Sequence, residues 1–554
     1  MKQVRGNART VGAGGLAVTL VRAGAVAAAA AGSVHGHAAQ QPLGVGLLPG
    51  GDGPADALNL ASFSDSGGCP NNASELVRCM QDPLERASSQ VFFASTHVPG
   101  VPPGTAIASP STSAPDYFYH WVRDASITFA RIAKIPATGG GGSGGQIASR
   151  GIADGPPRHP EIEALMAGFA HVSRGHQESP TVAGLGEPKF LVDGTPFNGP
   201  WGRPQNDGPA LRALVLTRWA QYLLGHGGIP GAREYVSKEL YDGALPTQSV
   251  VKRDLEYVAA AWRDASVDVW EEVRGTHFFT RLLQRAALDA GAELAESLGD
   301  SGAAAWYRVQ AREIGASLAA HWSAKRGYLI ATLDKVSGPP AKTSDLDVSV
   351  VLAALLAERF DPRIRAYAPW DGRVLATAVR LVGSMRGLYA INANTSAPAV
   401  VGRYPEDVYD GVGFSRGNPW PLATAALAHQ AFIVARRWCR LRYLDLNQYS
   451  RSYLSELAAT RIESGLPTLI ATDPEFPKAV RGVIEYGVSV LKRVRQLAAA
   501  DPHGDDAALS EQWDRDTGAK QGAINLTWSA VAYLDALDAY TETGLKCRSV
   551  LQSL

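Results

Sequence analysis

The chain of 554 residues is 45% hydrophobic and 19% charged, which supplies one large or two ordinary globular cores and excludes disorder along the whole chain. Its 53 basic and 53 acidic residues cancel, so no basic face is indicated for a nucleic acid or an anionic membrane. The 12 Trp, 18 Tyr and 14 Phe, beside 58 Gly and 34 Pro, are typical of a loop-rich enzyme that offers flat rings to a neutral ligand.

Residues 1–39 have the organisation of a secretory signal peptide. Three basic residues precede an apolar run of small residues, and further small residues follow where a signal peptidase would cut. Arg22 interrupts the run, so a disordered Ala/Gly tail is the alternative. No later stretch reaches the roughly 20 apolar residues that span a bilayer. We therefore expect a protein of the secretory pathway, extracellular or else vacuolar, with no membrane span in its mature form.

Two segments lack periodicity. Residues 40–85 are rich in Gly, Pro and Asp and predict an irregular N-terminal arm ahead of a catalytic domain at 86–554. The glycine run 139–145 begins a mixed polar segment that continues to about Ser179, and this segment predicts an insertion loop.

The four cysteines are too few and too scattered for a zinc cluster, which needs close pairs. In an oxidising compartment, Cys69 and Cys79 are the predicted disulfide. Cys439 and Cys547 are not assigned a partner.

Helical periodicity dominates the rest of the chain, and strand-like alternation is scarce. Apolar residues recur at spacings of three and four in six segments, 278–298, 303–322, 347–358, 421–438, 480–500 and 526–540. Long helices joined by long aromatic loops, with no linker between them, predict an all-α fold in which helical hairpins stack into one α/α toroid.

Aromatic and charged side chains cluster at the first loop-to-helix transition, where Tyr117 and Trp121 precede the adjacent pair Arg123 and Asp124. Stacking rings with a donor and an acceptor are what a hexose needs, although an aromatic core with a local ion pair fits equally. A polar, Gly/Pro-rich segment at 186–209 then precedes another apolar helix, and such loops hold side chains in place.

A pair of carboxylates stands beside a large ring in Asp268-Val-Trp270-Glu271-Glu272. Such a pair is costly to bury unless one acid is protonated or both are hydrogen-bonded, and a raised carboxyl pKa is what a general acid requires. The alternative is a solvated Glu-Glu on a helix surface.

Two further loop-to-helix segments follow. In the first, Arg403 is placed to clamp a hydroxyl or to pair with a nearby acid, ahead of Trp420. In the second, Glu511 supplies another carboxylate, and Trp528 another large ring, far along the chain from the first acidic pair.

Through these segments the chain resembles the fungal-type glucoamylases of glycoside hydrolase family 15. The match runs from about Ala108 to Tyr540 in the family's order, and its motifs are YFYxWxRD, GEPKF, WGRPQ, DLEYVAAxW, WEEV, GRYPED, GNPW, EQxD and LTWS. The resemblance implies a six-hairpin (α/α)6 barrel with a pocket closed at one end. It also implies an exo-acting, inverting hydrolase that releases β-glucose from the non-reducing ends of α-1,4-glucans, such as starch, dextrins, maltooligosaccharides or glycogen.

The resemblance assigns roles to individual residues. Glu271 takes the general-acid position and Glu511 the general-base position, while Asp268 gives electrostatic support or orientation, although it matches a carboxylate sometimes assigned as the proton acceptor. The remaining matches bind the substrate: Arg123, Asp124 and Arg403 grip the terminal glucose, Glu272 and Trp201 lie around the cleaved bond, and Tyr117, Trp121, Trp270 and Trp528 form pocket walls. No metal or cofactor is needed.

Some positions depart from the family pattern. Phe197 stands where the family has a Tyr, Val269 replaces the usual Leu, and Gly522 stands where the fungal enzymes often have a Ser that hydrogen-bonds the base. The chain stops at Leu554 without a Ser/Thr-rich linker and starch-binding domain, so we expect poor granule binding.

Two alternatives stay open. One is a related α-glucosidase that acts on α-1,6 linkages, trehalose or dextran. The other is a non-catalytic glucan-binding protein, which the retention of both Glu271 and Glu511 argues against, because a binder has no use for an acid and a base. We expect a monomer whose partner is its α-glucan substrate, and neither a nucleic acid nor a membrane.

Overall fold

The computed structural model describes residues 83–134, 160–225, 231–500 and 508–552, all within one unit of the chain, Phe63–Leu554. The predicted signal peptide, most of the predicted arm and the cysteines Cys69 and Cys79 lie outside the described residues. Among the helices that the structure describes, none is both long enough and apolar enough to cross a membrane.

The described residues form fourteen α-helices. They are α1 (Pro83–Thr96), α2 (Val122–Lys134), α3 (Pro160–Glu178), α4 (Asp207–Gly225), α5 (Ala232–Tyr235), α6 (Val250–Ala261), α7 (Phe278–Ser297), α8 (Ser301–Ser317), α9 (Ser349–Phe360), α10 (Gly372–Met385), α11 (Pro421–Leu441), α12 (Gln448–Ser452), α13 (Glu475–Ala499) and α14 (Thr527–Leu551).

Six of these helices make an inner ring. Successive members contact each other in the order α2, α4, α7, α9, α11 and α14, and α14 contacts α2 to close the ring. Each inner helix also contacts an outer one, in the pairs α2–α3, α4–α6, α7–α8, α9–α10, α11–α13 and α14–α1. The predicted all-α, (α/α)6 toroid is therefore confirmed.

Composition explains which helices lie inside. Helix α9 is apolar on all sides, and every residue from Ser349 to Glu358 is buried, as expected for a helix surrounded by others. Helix α13 is amphipathic instead, with its charged side chains Lys478, Arg481 and Glu485 exposed at helical spacing. The polar face of α13 lies in water, so this helix belongs to the outer layer.

Short strands join the loops at the ends of the helices. They are β1 (His120–Trp121), β2 (Lys189–Phe190), β3 (Ser266–Val267), β4 (Arg274–His277), β5 (Trp322–Ser323), β6 (Tyr328–Leu329), β7 (Thr332–Ser337), β8 (Tyr443–Asp445), β9 (Thr468–Ile470), β10 (Gln512–Trp513) and β11 (Lys520–Gln521). All pairings are antiparallel, as β1–β2, β3–β4–β7, β5–β6, β8–β9 and β10–β11.

The prediction of an insertion loop as far as Ser179 was wrong for its second half, because α3 covers Pro160–Glu178. The side chains of Ile162, Met166 and Phe169 are buried at spacings of four and three, which is a helical stripe. Interspersed Gly, His, Ser and Arg residues obscured the stripe in the sequence. The predicted arm is likewise too long, since its last residues, 83–85, belong to α1.

The six predicted helices are all present, with shifted ends. Helix α8 ends at Ser317 because the chain enters a 3₁₀ turn, Leu318–His321, and then β5. Helix α14 continues to Leu551, beyond the predicted end. It is tied to α11 by a disulfide between Cys439 and Cys547, which the sequence analysis did not predict.

Candidate active site

The predicted site residues all lie at one end of the ring, where the loops enter the inner helices. Their positions relative to these helices are Tyr117, Trp121, Arg123 and Asp124 around the start of α2, Trp201 before α4, Asp268, Trp270, Glu271 and Glu272 before α7, Arg403 before α11, and Glu511 and Trp528 around the start of α14. The ring brings together side chains that are hundreds of residues apart.

A tight turn between β3 and β4 presents Glu271. The Glu271 backbone N–H donates to the Asp268 carbonyl at 2.9 Å, and the Asp268 N–H donates to the Val273 carbonyl at 2.8 Å. Glu271 itself has a φ of 66°, in the left-handed region that non-glycine residues seldom adopt. Such a conformation is held only where surrounding contacts enforce it, and it is frequent at functional sites.

One oxygen of the Glu271 carboxyl group is firmly held. Oε1 accepts hydrogen bonds from Trp121 Nε1 at 2.8 Å and from Gln205 Nε2 at 2.9 Å, and it lies 3.6 Å from the Arg123 guanidinium. No described residue hydrogen-bonds Oε2. The carboxyl group is thus oriented through one oxygen and leaves the other available for a ligand.

Asp268 holds the turn from beneath. Its Oδ1 accepts from the backbone N–H groups of Glu272 at 2.8 Å and Val273 at 3.1 Å, and its Oδ2 lies 3.5 Å from Lys342 Nζ. Burial alone would raise the pKa of Asp268, but Lys342, His277 and the two N–H donors hold that pKa below its usual value. The two oxygens of this buried carboxyl group thus face the turn and Lys342.

Lys342 connects this layer to α9. Its ammonium group is buried, 2.8 Å from Asp347 Oδ2, and Asp347 in turn accepts from Trp270 Nε1 at 2.9 Å. Burial alone would lower the pKa of Lys342, but Asp347 and Asp268 raise it to about 12, so the amine stays charged. The charged triad Asp268, Lys342 and Asp347 fixes both the acidic turn and the Trp270 ring.

Glu511 lies at the start of the hairpin β10–β11 and is fully buried. Its carboxylate accepts three hydrogen bonds, from Tyr117 OH at 2.9 Å, Tyr409 OH at 3.3 Å and the Ala523 backbone N–H at 3.1 Å. Burial raises the pKa of Glu511 to about 7, although these donors and Arg403 act in the opposite direction. The group can therefore exchange a proton near neutral pH.

Gly522 lies against the same carboxylate. Its φ is +70°, and a Cβ added there would come within 2.2 Å of Glu511 Oε2. The position therefore has no room for a serine side chain. Two tyrosine hydroxyls, those of Tyr117 and Tyr409, make the side-chain hydrogen bonds to Glu511 instead.

Tyr117 and Trp121 connect the two glutamates. Their rings pack edge to face with centroids 5.3 Å apart. Tyr117 donates to Glu511 while Trp121 donates to Glu271. The two carboxyl groups therefore flank a single aromatic wall, although they come from opposite ends of the sequence.

Arg403 anchors the neighbouring part of the site. Its guanidinium donates twice to Asp407, at 2.6 and 2.7 Å, and once to Glu272 at 2.7 Å. Glu272 also accepts from Tyr404 OH at 2.6 Å. Burial raises the pKa of Glu272 in spite of Arg403. Of the two roles that the sequence left open for Arg403, the structure shows the pairing with an acid.

Arg123 and Asp124 form a second buried ion pair, with Nε 3.3 Å from Oδ2. Neither of these two atoms has a hydrogen-bond partner of suitable geometry in the described residues. Arg123 is held from its other side by Gln205 at 2.9 Å and Asp207 at 3.3 Å. Burial raises the pKa of Asp124 to about 6 in spite of Arg123.

Aromatic rings complete the walls. Trp528 stacks on Trp270 at a centroid distance of 6.2 Å. Trp201 is 37% exposed at the edge of the site, and the Lys189 ammonium lies 3.4 Å from its ring centroid and 4.1 Å from that of Phe197. Burial lowers the pKa of Lys189 to about 8.

Four further residues of the site were not predicted from the sequence: Lys342, Asp347, Gln205 and Tyr409. Lys342 stands in a polar loop that no motif covered, and Asp347 was predicted as the first residue of a helix that begins at Ser349, although a lysine among several aspartates is a signal of charge pairing. Gln205 stood within a recognised motif and Tyr409 two residues after one. In the described part of the chain, no group of three or more His, Cys, Asp or Glu side chains is arranged to hold a metal ion.

The sequence and the fold are similar to those of known proteins. The sequence model of the family described as glycosyl hydrolases family 15 matches residues 94–538. The chain is 32% identical to a glucoamylase of Blastobotrys adeninivorans over 459 residues, which cover 81% of the chain and 69% of that protein. It is 33% identical to a probable glucoamylase of Schizosaccharomyces pombe, covering 80% and 86%. The structure of a Saccharomycopsis fibuligera glucoamylase superposes with a TM-score of 0.71 at 26% identity, covering 87% of the chain and 98% of that structure.

Proposed function

Because the chain belongs to glycosyl hydrolase family 15 and acts from the ends of α-glucans as a glucan 1,4-α-glucosidase, we propose that it inverts the anomeric carbon, with Glu271 as the acid and Glu511 as the base. The observation that carries this proposal is the wall of Tyr117 and Trp121, which hydrogen-bonds one carboxyl group on each side. An inverting hydrolase needs two separate carboxyl groups, one for the leaving oxygen and one for a water molecule.

Glu271 protonates the glycosidic oxygen as the bond to the anomeric carbon breaks. The bonds from Trp121 and Gln205 occupy Oε1, so the proton is delivered from Oε2. Arg123 stabilises the carboxylate that remains, since its guanidinium is 3.6 Å away. Asp268 is a positioning residue in this scheme, because it bonds the turn and faces Lys342 rather than the substrate.

Glu511 removes a proton from the water that attacks the opposite face of the sugar. A raised pKa makes the Glu511 carboxylate a stronger base than an exposed carboxylate. Hydrogen bonds from Tyr117 and Tyr409 orient the ionised carboxylate before the reaction. Attack from that face converts an α-glucoside into β-glucose. The terminal glucose is held by Asp124, whose buried Oδ2 lacks a hydrogen-bond partner among the described residues, and by Arg123 and Arg403.

Glu272 and Trp201 bind around the cleaved bond, and Tyr117, Trp121, Trp270 and Trp528 form the walls of the pocket. We further propose that residues 83–554, which include all of α1, are the catalytic domain, that the protein works as a monomer and that it follows the secretory route to the extracellular space. Support for that route is the basic and apolar pattern of residues 1–39.

Proton NMR of maltotriose hydrolysis tests the mechanism. The first glucose released, observed before mutarotation, is expected to be the β-anomer, and initial α-glucose would refute inversion. Glu271→Gln and Glu511→Gln should each lower kcat by about 10²–10⁴-fold, the usual contribution of an acid or base. Glu296→Gln on the exposed side of α7 is the matched control and should keep wild-type kcat. Full activity of either active-site variant would remove that residue from its assigned role.

A further inference from the structure

We propose that Phe414, together with Val412 and Ile524, forms a platform at the rim of the pocket that binds glucose units of an α-glucan chain outside it. These three residues are called the rim platform below. The proposal rests on the proposed function, because it concerns how a long substrate meets the same site.

The rim platform exposes three large apolar side chains on two adjoining loops. Phe414 is 80% exposed, Val412 is 62% exposed and Ile524 is 56% exposed. Leaving three such side chains in water carries a hydrophobic cost, and a grouped apolar surface of this kind marks a place where something binds.

The loop that carries Phe414 is held in one conformation. Tyr409 and Phe414 pair as an antiparallel bridge, and the Ser415 N–H donates to the Val408 carbonyl at 2.7 Å. The Asp410 carboxylate accepts from the N–H groups of Val412 and Gly413 and from the Ser415 hydroxyl, and these bonds lower its pKa, the Ser415 bond most of all. The platform is therefore pre-organised, so little entropy is lost when a ligand binds.

The platform adjoins the proposed base. The ring of Phe414 is 6.3 Å from the ring of Tyr409, and Tyr409 OH is 3.3 Å from Glu511 Oε2. The loops carrying Phe414 and Ile524 also touch, since a Cβ on Gly411 would come within 2.7 Å of the Gly522 backbone. Gln521 Nε2 ties the two loops together by donating to the Asp410 carbonyl at 3.1 Å.

An exposed ring also stands on the side of the proposed acid. Trp201 is 37% exposed and lies 6.1 Å from Trp121, which bonds Glu271. Phe414 lies next to Tyr409, which bonds Glu511, and Trp201 lies next to Trp121, which bonds Glu271. Each exposed ring is therefore separated from a carboxyl group by one other aromatic ring. Trp201 already belongs to the proposed substrate site, whereas no step of the proposed mechanism uses Phe414.

The chemistry of the platform favours a glucan as its occupant. An enzyme that removes single units from a polymer end holds one glucose in the pocket, so the rest of the chain must cross the rim. The platform residues carry no charge, and the nearby Arg416 is paired with Asp516 at 2.6 Å. A neutral polymer of rings with apolar faces fits this surface, because a sugar ring stacks on an aromatic one without needing a charge.

Phe414→Ala tests the platform through the choice of substrate. The readout is the ratio of kcat/KM for glycogen to kcat/KM for maltose, because maltose is too short to extend far beyond the pocket. Loss of one stacking ring should lower this ratio by about two- to tenfold. Phe414→Tyr keeps the ring and should keep the ratio. Leu545→Ala removes another highly exposed apolar side chain, 64% exposed, in the last turns of α14, and serves as the control.

The outcomes separate the two proposals. A lower ratio in Phe414→Ala, with the wild-type ratio in Phe414→Tyr and Leu545→Ala, supports the rim platform. An unchanged ratio in Phe414→Ala, or an equal fall for both substrates, overturns it and leaves the proposed function standing. If the wild-type chain releases no glucose from maltose, the proposed function fails, and binding of glycogen by wild-type protein but not by Phe414→Ala would still support the platform.

Discussion

Removing the hydroxyl of Tyr117 tests whether Glu511 is the base. The Tyr117→Phe variant keeps the ring beside Trp121 and deletes the shortest of the three hydrogen bonds to the Glu511 carboxylate, 2.9 Å against 3.1 and 3.3 Å. A hydrogen bond to a carboxylate stabilises its ionised form, so the deletion should raise the pKa of Glu511 further above its usual value.

The size of the shift follows from the strength of the bond. A hydrogen bond to a charged group contributes about 1.5–3 kcal/mol, and one pKa unit corresponds to about 1.4 kcal/mol, so the range is about one to two units. We expect the lower end, about one unit, because Tyr409 OH lies 3.1 Å from the deleted hydroxyl and remains beside the carboxylate.

The assay is the pH dependence of kcat/KM for maltose. A base must be ionised to act, so activity falls as the pH drops through its pKa, and a raised pKa moves this acidic limb to higher pH. At pH values below the acidic limb of both proteins, kcat/KM of Tyr117→Phe should be about tenfold lower than that of the wild type. The alkaline limb should stay in place. Removing a hydrogen-bond donor from a carboxylate raises its pKa, so the direction of the shift is diagnostic.

The matched control is Tyr119→Phe, in the same loop. The Tyr119 hydroxyl bonds Asp116 at the surface at 3.1 Å and does not contact Glu511, so its removal should leave the acidic limb unchanged. An acidic limb of Tyr117→Phe that stays in place or moves to lower pH would refute the assignment of Glu511. A uniform loss of activity at every pH would show that the hydroxyl acts in some other way.

Three further perturbations have expected outcomes. In Gly522→Ala, the added Cβ displaces the Glu511 carboxylate and strains a positive-φ position, so kcat should fall by about 10²-fold with little change in the circular dichroism spectrum. In Lys342→Met, two buried aspartates lose their cation, and the free energy of unfolding should fall by about 3–5 kcal/mol in thermal or denaturant unfolding. The double substitution Cys439→Ser and Cys547→Ser opens a bridge between residues 108 apart and should lower that free energy by about 2–5 kcal/mol.

Each of these has a control and a contradicting result. Gly465→Ala adds a Cβ in open space and should keep wild-type kcat, and equal activity in the Gly522 variant would contradict the reasoning. Lys238→Met removes an exposed lysine and should leave stability unchanged, so equal losses in the two lysine variants would show that burial is not the cause. For the disulfide, a reductant should lower the unfolding temperature of the wild type but not that of the double variant.

Local sequence pattern predicted the bounds of six helices but not those of others with an equally clear apolar face, such as α6 and α10. Helices α7, α9 and α11 were predicted to within a few residues, because an uninterrupted helical repeat reports burial directly. Helix α3 was missed, since its apolar residues Ile162, Met166 and Phe169 alternate with small and polar ones. The sequence also supplied the candidates Glu271 and Glu511, through motifs in which neighbouring residues act together.

What the sequence determined by itself is the set of local properties: which segments are helical, which helices are apolar on all sides, and which loops carry acids, arginines and rings. Closure of the helical ring determined which of these loops and side chains contact each other. Only the tertiary structure brought Tyr117 to Glu511 and Trp121 to Glu271, inserted Lys342 between Asp268 and Asp347, and joined Cys439 to Cys547. The physical reason is that a side chain's partners and its loss of water depend on distant segments, which no local pattern records.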